Sequence, residues 1–215
     1  MPTADTLLVF TFAALALILV PGPGILLLLA RGVAFGRRAA VFSSLGLETG
    51  TSVYVAATAT GLSALLASSA LAFSFVRYLG AAYLVVLGVR ALIGGAEGPI
   101  DHAGSRATRS ELLPGRAYRQ ALLVGIMNPK IAIFFVALFP QFIDPHRGAA
   151  AGQVLVLGVL FVTLALAVDL LVATTAGTVG RWLARRPSFA RRQRYVTASI
   201  YLALGAAAAG DPSRG

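Results

Sequence analysis

Three ionisable side chains, Glu48, Lys130 and Asp169, interrupt stretches that are otherwise apolar, and two runs of backbone that cannot stay helical, Pro21-Gly22-Pro23-Gly24 and Asn128-Pro129-Lys130, fall in similar stretches. Acids and a base in such settings hold groups of opposite charge and exchange protons. A broken helix adds backbone carbonyls for an ammonium and N–H groups for a carboxylate. Proline supplies no donor, so Pro21 and Pro23 are expected to free the carbonyls of Leu17 and Leu19, and Pro129 that of Gly125. Past the first break, the N–H groups of Gly24, Ile25 and Leu26 would open a new half-helix suited to a carboxylate. An amino acid carries both groups.

The elements that hold these residues must be built for lipid. Of 215 residues, 58% are hydrophobic and 12% charged, and the mean hydropathy is +0.83, the composition of an integral membrane protein. A spanning helix needs about 20 mainly apolar residues. The chain offers six such stretches, near 5–30, 39–66, 74–93, 120–143, 151–176 and 195–210. The last is short, roughly 21 Å of helix against a hydrocarbon core of about 30 Å. The fold class expected is all-α, with six transmembrane helices. The first stretch is not expected to be a cleaved signal, because Met1 to Asp5 carries no Lys or Arg and the apolar run is too long. With no cysteine there is no disulfide and no thiolate metal site. No cofactor is expected.

Basic residues fall on one side of the expected spans. Arg31, Arg37, Arg38, Arg90, Arg106, Arg109, Arg116, Arg119, Arg181, Arg185, Arg186, Arg191, Arg192 and Arg194 flank odd connections, against Arg77, Arg147 and Arg214 on the other side. The positive-inside rule places the odd loops in the cytoplasm and both termini outside. It also explains the net charge of +10 without nucleic acid as a partner. The polar stretch 94–119 reads as a cytoplasmic linker between a first three-helix half, 1–93, and a second, 120–210, within one membrane domain. Three is odd, so the halves would insert with opposite topologies. Each opens with a proline break and carries one acid in its second helix, as inverted repeats of secondary transporters do.

Depth ties the features together. Counted from the nearest basic flank, Pro21, Glu48, Lys130 and Asp169 all lie roughly 15 to 18 Å into the membrane, near the middle of its core. An ionisable group there costs about 2.5 to 3.5 kcal/mol on insertion scales, so it faces protein or a wet cavity and finds a partner. One lysine offsets one acid; the other is left to exchange protons. On the Glu48 helix, Ser44, Thr51 and Ser52 form a small polar stripe expected to line a cavity, while Gly46 and Gly50 offer a close-packing face on the other side. Ala165 and Ala173 leave room beside Asp169.

These residues resemble the LysE/RhtB amino-acid exporters. The likeness covers nearly the whole chain: Pro21-Gly22-Pro23, then Gly80-Ala81-Ala82-Tyr83-Leu84, Leu87-Gly88 and Arg90-Ala91-Leu92, then Asn128-Pro129-Lys130, Phe134-Phe135 and Pro140-Gln141-Phe142. It implies a six-helix inner-membrane exporter of amino acids or similar metabolites, driven by proton exchange, with functional positions at Pro21, Gly22, Pro23, Asn128, Pro129 and Lys130. Two positions depart from the family pattern: Gly24 stands where many members carry Asp or Asn, and Glu48 where many are neutral. Coupling or substrate preference can differ there.

The function expected is therefore secondary active export, with Pro21, Gly22, Pro23, Gly24, Glu48, Asn128, Pro129, Lys130 and Asp169 around the substrate and Glu48 and Asp169 carrying protons. Its partners would be an amino-acid substrate, protons and the lipid bilayer, and a homodimer is compatible with the pattern. Two other readings compete. A divalent-cation exporter wants clustered His, Asp and Cys, whereas His102 and His146 fall in loops. An intramembrane aspartyl enzyme would use Glu48 and Asp169, but neither stands in a Gly-Asp motif.

Overall fold

The computed structural model describes residues 1–68 and 112–184, with isolated positions 85, 86, 89, 195, 199, 202 and 203. The span expected at 74–93 with its Gly80 to Leu92 motifs, most of the linker, and the span at 195–210 lie outside the described residues apart from those positions.

Helix α1, Ala4–Leu19, begins where Thr3 Oγ1 accepts the Thr6 N–H at 3.1 Å, with Asp5 in the first turn favouring the positive end of the helix. It ends because the residue before a proline is pushed out of the helical region, and Val20 is extended at φ −66°, ψ 117°. Helix α2, Pro23–Ser68, restarts with proline in its first turn, where a missing N–H does no harm. Its two arms, 23–35 and 37–68, are antiparallel. A continuous helix would put Gly24 and Leu47 roughly 35 Å apart, yet a Cβ on Gly24 would sit 3.4 Å from Leu47 Cδ1.

The reversal occurs at Gly36, at φ 82° and ψ 175°. That region is almost closed to residues with a Cβ, so Gly36→Ala is expected to cost about 1–3 kcal/mol. Thermal unfolding in detergent should show the midpoint falling by several degrees; an unchanged midpoint would mean the arms reverse without a left-handed residue.

Helix α3, Pro114–Ile126, and the short α4, Pro129–Ile133, form a second bent pair at 43°. The chain continues as a π turn over Phe134–Leu138 and a 3-10 turn over Phe139–Phe142, in which Pro140 can donate no hydrogen bond to carry the helix on. Helix α5, Ala150–Ala184, contains a stretch, Ala150–Ala176, long and apolar enough to cross a membrane unaided. The pair formed by α1 with Pro23–Gly61 of α2 and the pair formed by α3 with Pro129–Phe142 pass the same test as broken spans. Large apolar side chains lie open along these helices, among them Leu8, Phe12, Val159 and Leu171. Exposure on that scale suits lipid and not water.

Lipid tails do not drive apolar helices together, so close backbone approach must. Gly46 and Gly50 provide it against α3, as the sequence suggests: a Cβ would fall 2.3 Å from the Tyr118 carbonyl oxygen or 2.8 Å from the Ile126 nitrogen. Along α5, Gly158 admits Val55, and Ala176 packs onto Gly32. At the α1 end the core is aromatic. Phe10, Phe134, Phe135, Phe139 and Phe161 are buried together, with Phe134 and Phe161 stacked at 4.7 Å between centroids and Phe10 edge-on to Phe139 at 5.5 Å. Among the described residues, the core at the other end is smaller: Leu28, Leu47 and Ala121 are buried, with Leu27, Val124 and Val172 packed against them.

Candidate functional site

Each half of the site is a helix that stops and starts again. In α4, Asn128 caps the new helix by accepting the Lys130 N–H at 3.1 Å, and Pro129 takes the first position, where no donor is needed. The cap aims Lys130 across to the other break. Its Nζ donates to the Val20 carbonyl at 2.6 Å and reaches the Ile18 carbonyl at 3.4 Å. The lysine stem passes Gly22 so closely that a Cβ there would stand 3.2 Å from Lys130 Cδ.

Glu48 enters from the second arm of α2 and Asp169 from α5, and both are buried. The two carboxyl groups act directly on each other, and the Lys130 ammonium acts on both. Glu48 Oε2 is buried without a hydrogen-bond partner. Between these groups lies a cavity of about 40 Å³, lined also by Gly22, Gly24, Ile25, Thr51, Asn128 and Ala165. That is space for a few water molecules and less than an amino acid needs.

Pro21, Gly22, Pro23, Gly24, Glu48, Asn128, Pro129, Lys130 and Asp169 were expected to converge. Gly22, Gly24, Glu48, Asn128, Lys130 and Asp169 all line the cavity, while Pro21, Pro23 and Pro129 shape the two breaks without lining it. Residues 15–210 match the family of LysE type translocators. The chain belongs to that family. It is 34% identical over 198 residues to an uncharacterized membrane protein of Vibrio cholerae, covering 92% of this chain and 93% of the relative. It is also 34% identical over 186 residues to the homoserine/homoserine lactone efflux protein of Salmonella typhimurium, covering 86% and 87%. An uncharacterized membrane protein of Bacillus subtilis is 28% identical over 204 residues, covering 93% and 96%. No solved structure matches the chain.

In this LysE type translocator several finer expectations are corrected. The carbonyls that Lys130 holds are those of Ile18 and Val20, and the Leu17 oxygen, expected to be free, is taken. The reason is where α1 ends: the Leu17 oxygen accepts the Val20 N–H at 3.1 Å, and extended Val20 turns its own oxygen sideways. The Gly125 oxygen is likewise taken, by the Asn128 N–H at 3.2 Å, while the Ile126 carbonyl accepts the Tyr54 hydroxyl. Because α2 starts at Pro23, the Leu26 N–H bonds to the Gly22 oxygen at 3.1 Å, leaving Gly24 and Ile25 as the N–H groups without a carbonyl one turn back.

The polar stripe is narrower than the spacing suggests. Thr51 lines the cavity and Ser44 Oγ reaches the Asp169 carbonyl at 3.3 Å, but Ser52 is exposed and its hydroxyl turns back to the Glu48 carbonyl. A residue taken for a topology signal also turns out to be structural: Arg31 is buried and bonded across helices. Its surroundings, not its position in the sequence, distinguish it.

Proposed function

We propose that this translocator is a secondary active exporter of amino acids or close derivatives across the inner membrane, coupled to protons. Its six helices would form two inverted three-helix repeats, with both termini outside. The observation that carries the reading is the meeting of Lys130, Glu48 and Asp169 at a cavity bounded by two broken helices. In the closed state Lys130 pins the first break by holding Val20 and Ile18. An entering substrate would give its ammonium to the acids, and its carboxylate would draw the Lys130 ammonium off those carbonyls, with the N–H groups of Gly24 and Ile25 as a second anchor. Rocking of one half against the other would then expose the site to the far side.

The substrate class is supported by the Salmonella relative, named for efflux of homoserine and its lactone. Among the described residues no three metal-ligating side chains come together, which gives a divalent-cation reading no site there. The test is counterflow of labelled amino acids into proteoliposomes at two pH values, with homoserine in the first panel. Uptake of at least one amino acid, changing with pH, is expected. No uptake from a broad panel by properly inserted protein would overturn the reading.

A further inference from the structure

Arg31 is only 7% exposed, and its guanidinium joins three segments. Nη1 donates to Ser43 Oγ at 2.7 Å and to the Ala117 carbonyl at 2.6 Å, and Nη2 donates to Gln120 Oε1 at 2.9 Å. The contacts bind the first arm of α2 to its second arm and both to α3. Every acceptor is neutral. Among the described residues the sole ion pair lies elsewhere, between Arg147 and Asp144.

The place of this cluster matters. Ser43 precedes Glu48 by five residues, so the guanidinium sits roughly 7.5 Å along the helix from the site, toward the turn at Gly36. At the same level Ala176 of α5 packs onto Gly32, so four segments close together there. Toward the other end, the site is sealed by the buried phenylalanines around Phe10 and Phe161. That seal is many side chains deep and must repack to open. The Arg31 cluster is polar and adjoins a smaller apolar cluster, Leu28, Leu47 and Ala121, and every bond it loses on opening can be replaced by water at once.

We infer that Arg31 is the latch of the entry gate: its three interhelical bonds close the path between the site and the Gly36 end, and substrate reaches Glu48 and Asp169 only when they part. This deepens the exporter reading and rests on it.

The native chain has no cysteine, so Ala165→Cys in the cavity wall would be the single target for a membrane-impermeant thiol reagent. In reconstituted vesicles, with reagent added on each face in turn, Arg31→Gln is expected to raise the labelling rate about tenfold or more from one face only. That factor corresponds to losing one charge-assisted hydrogen bond from the closed state. Arg31→Lys should fall between, since one ammonium spans fewer acceptors. Should Arg31→Gln fail to insert, Gln120→Leu and Ser43→Ala each remove one acceptor and should give smaller one-sided increases. A one-sided increase supports the latch whichever face it marks, and the face reports orientation. An unchanged rate, or an equal rise from both faces as general loosening would give, overturns it. Labelling needs no substrate, so a failed counterflow screen leaves the latch testable, and a failed latch leaves counterflow intact.

Discussion

Lys130→Met is expected to lower amino-acid counterflow by at least about 100-fold while the protein still inserts and elutes as one species. The ammonium holds two backbone carbonyls at the break between α1 and α2, one of them at 2.6 Å. On the proposed reading the ammonium leaves those carbonyls for the substrate carboxylate; a hydrogen bond to a charged group contributes about 1.5–3 kcal/mol, and each 1.4 kcal/mol is about a factor of ten, so losing that contact with the substrate accounts for the expected drop. The substitution also leaves Glu48 and Asp169 facing each other without the cation that both sense. Methionine keeps most of the volume, so packing against Gly22 survives. Arginine is no rescue: its planar fork is wider than an ammonium, and the stem already passes within 3.2 Å of where a Gly22 Cβ would lie. Wild-type counterflow in Lys130→Met would remove Lys130 from the mechanism.

The coarse site is legible in the sequence because lipid makes exceptions conspicuous. Glu48, Lys130 and Asp169 stand out from apolar surroundings, and equal counting distances from basic flanks bring them to one depth. The proline breaks mark where helices end, and the Gly46 and Gly50 spacing marks the face that α3 covers. Which atoms the breaks release is not legible. That depends on the torsion of Val20 and on the start of α2 at Pro23, a matter of one residue that composition does not fix. Nor does the sequence distinguish Arg31 from Arg37 and Arg38, since the positive-inside rule counts all three alike. Only the fold-back at Gly36 swings Arg31 against Ser43 and α3, while its two neighbours stay exposed. Ser52 shows the opposite error: the right helical spacing, on a face that stays exposed.

The two acids should separate when each is made neutral. Lys130, Glu48 and Asp169 all line the cavity, and Glu48 Oε2 is buried there with no hydrogen-bond partner. A buried polar atom without a partner calls for an explanation. On the exporter reading proposed above, Glu48 would be the acid kept for whatever arrives, a substrate ammonium or a proton. Glu48→Gln keeps the shape and removes the exchangeable charge. It is expected to abolish export driven by a pH gradient, to flatten the pH dependence of counterflow, and to leave part of the exchange itself. Asp169→Asn removes one of the two negative charges that act on Lys130. On the proposed reading Asp169 also receives the substrate ammonium, and a hydrogen bond to a charged group contributes about 1.5–3 kcal/mol, so both driven export and exchange should fall by about 10- to 100-fold. Proteoliposomes carrying each variant, assayed with and without an imposed pH gradient, separate the two outcomes. Full driven export by both variants would take the carboxylates out of the mechanism; identical losses in both assays would mean that the acids act as one unit and that the division of labour between them is wrong.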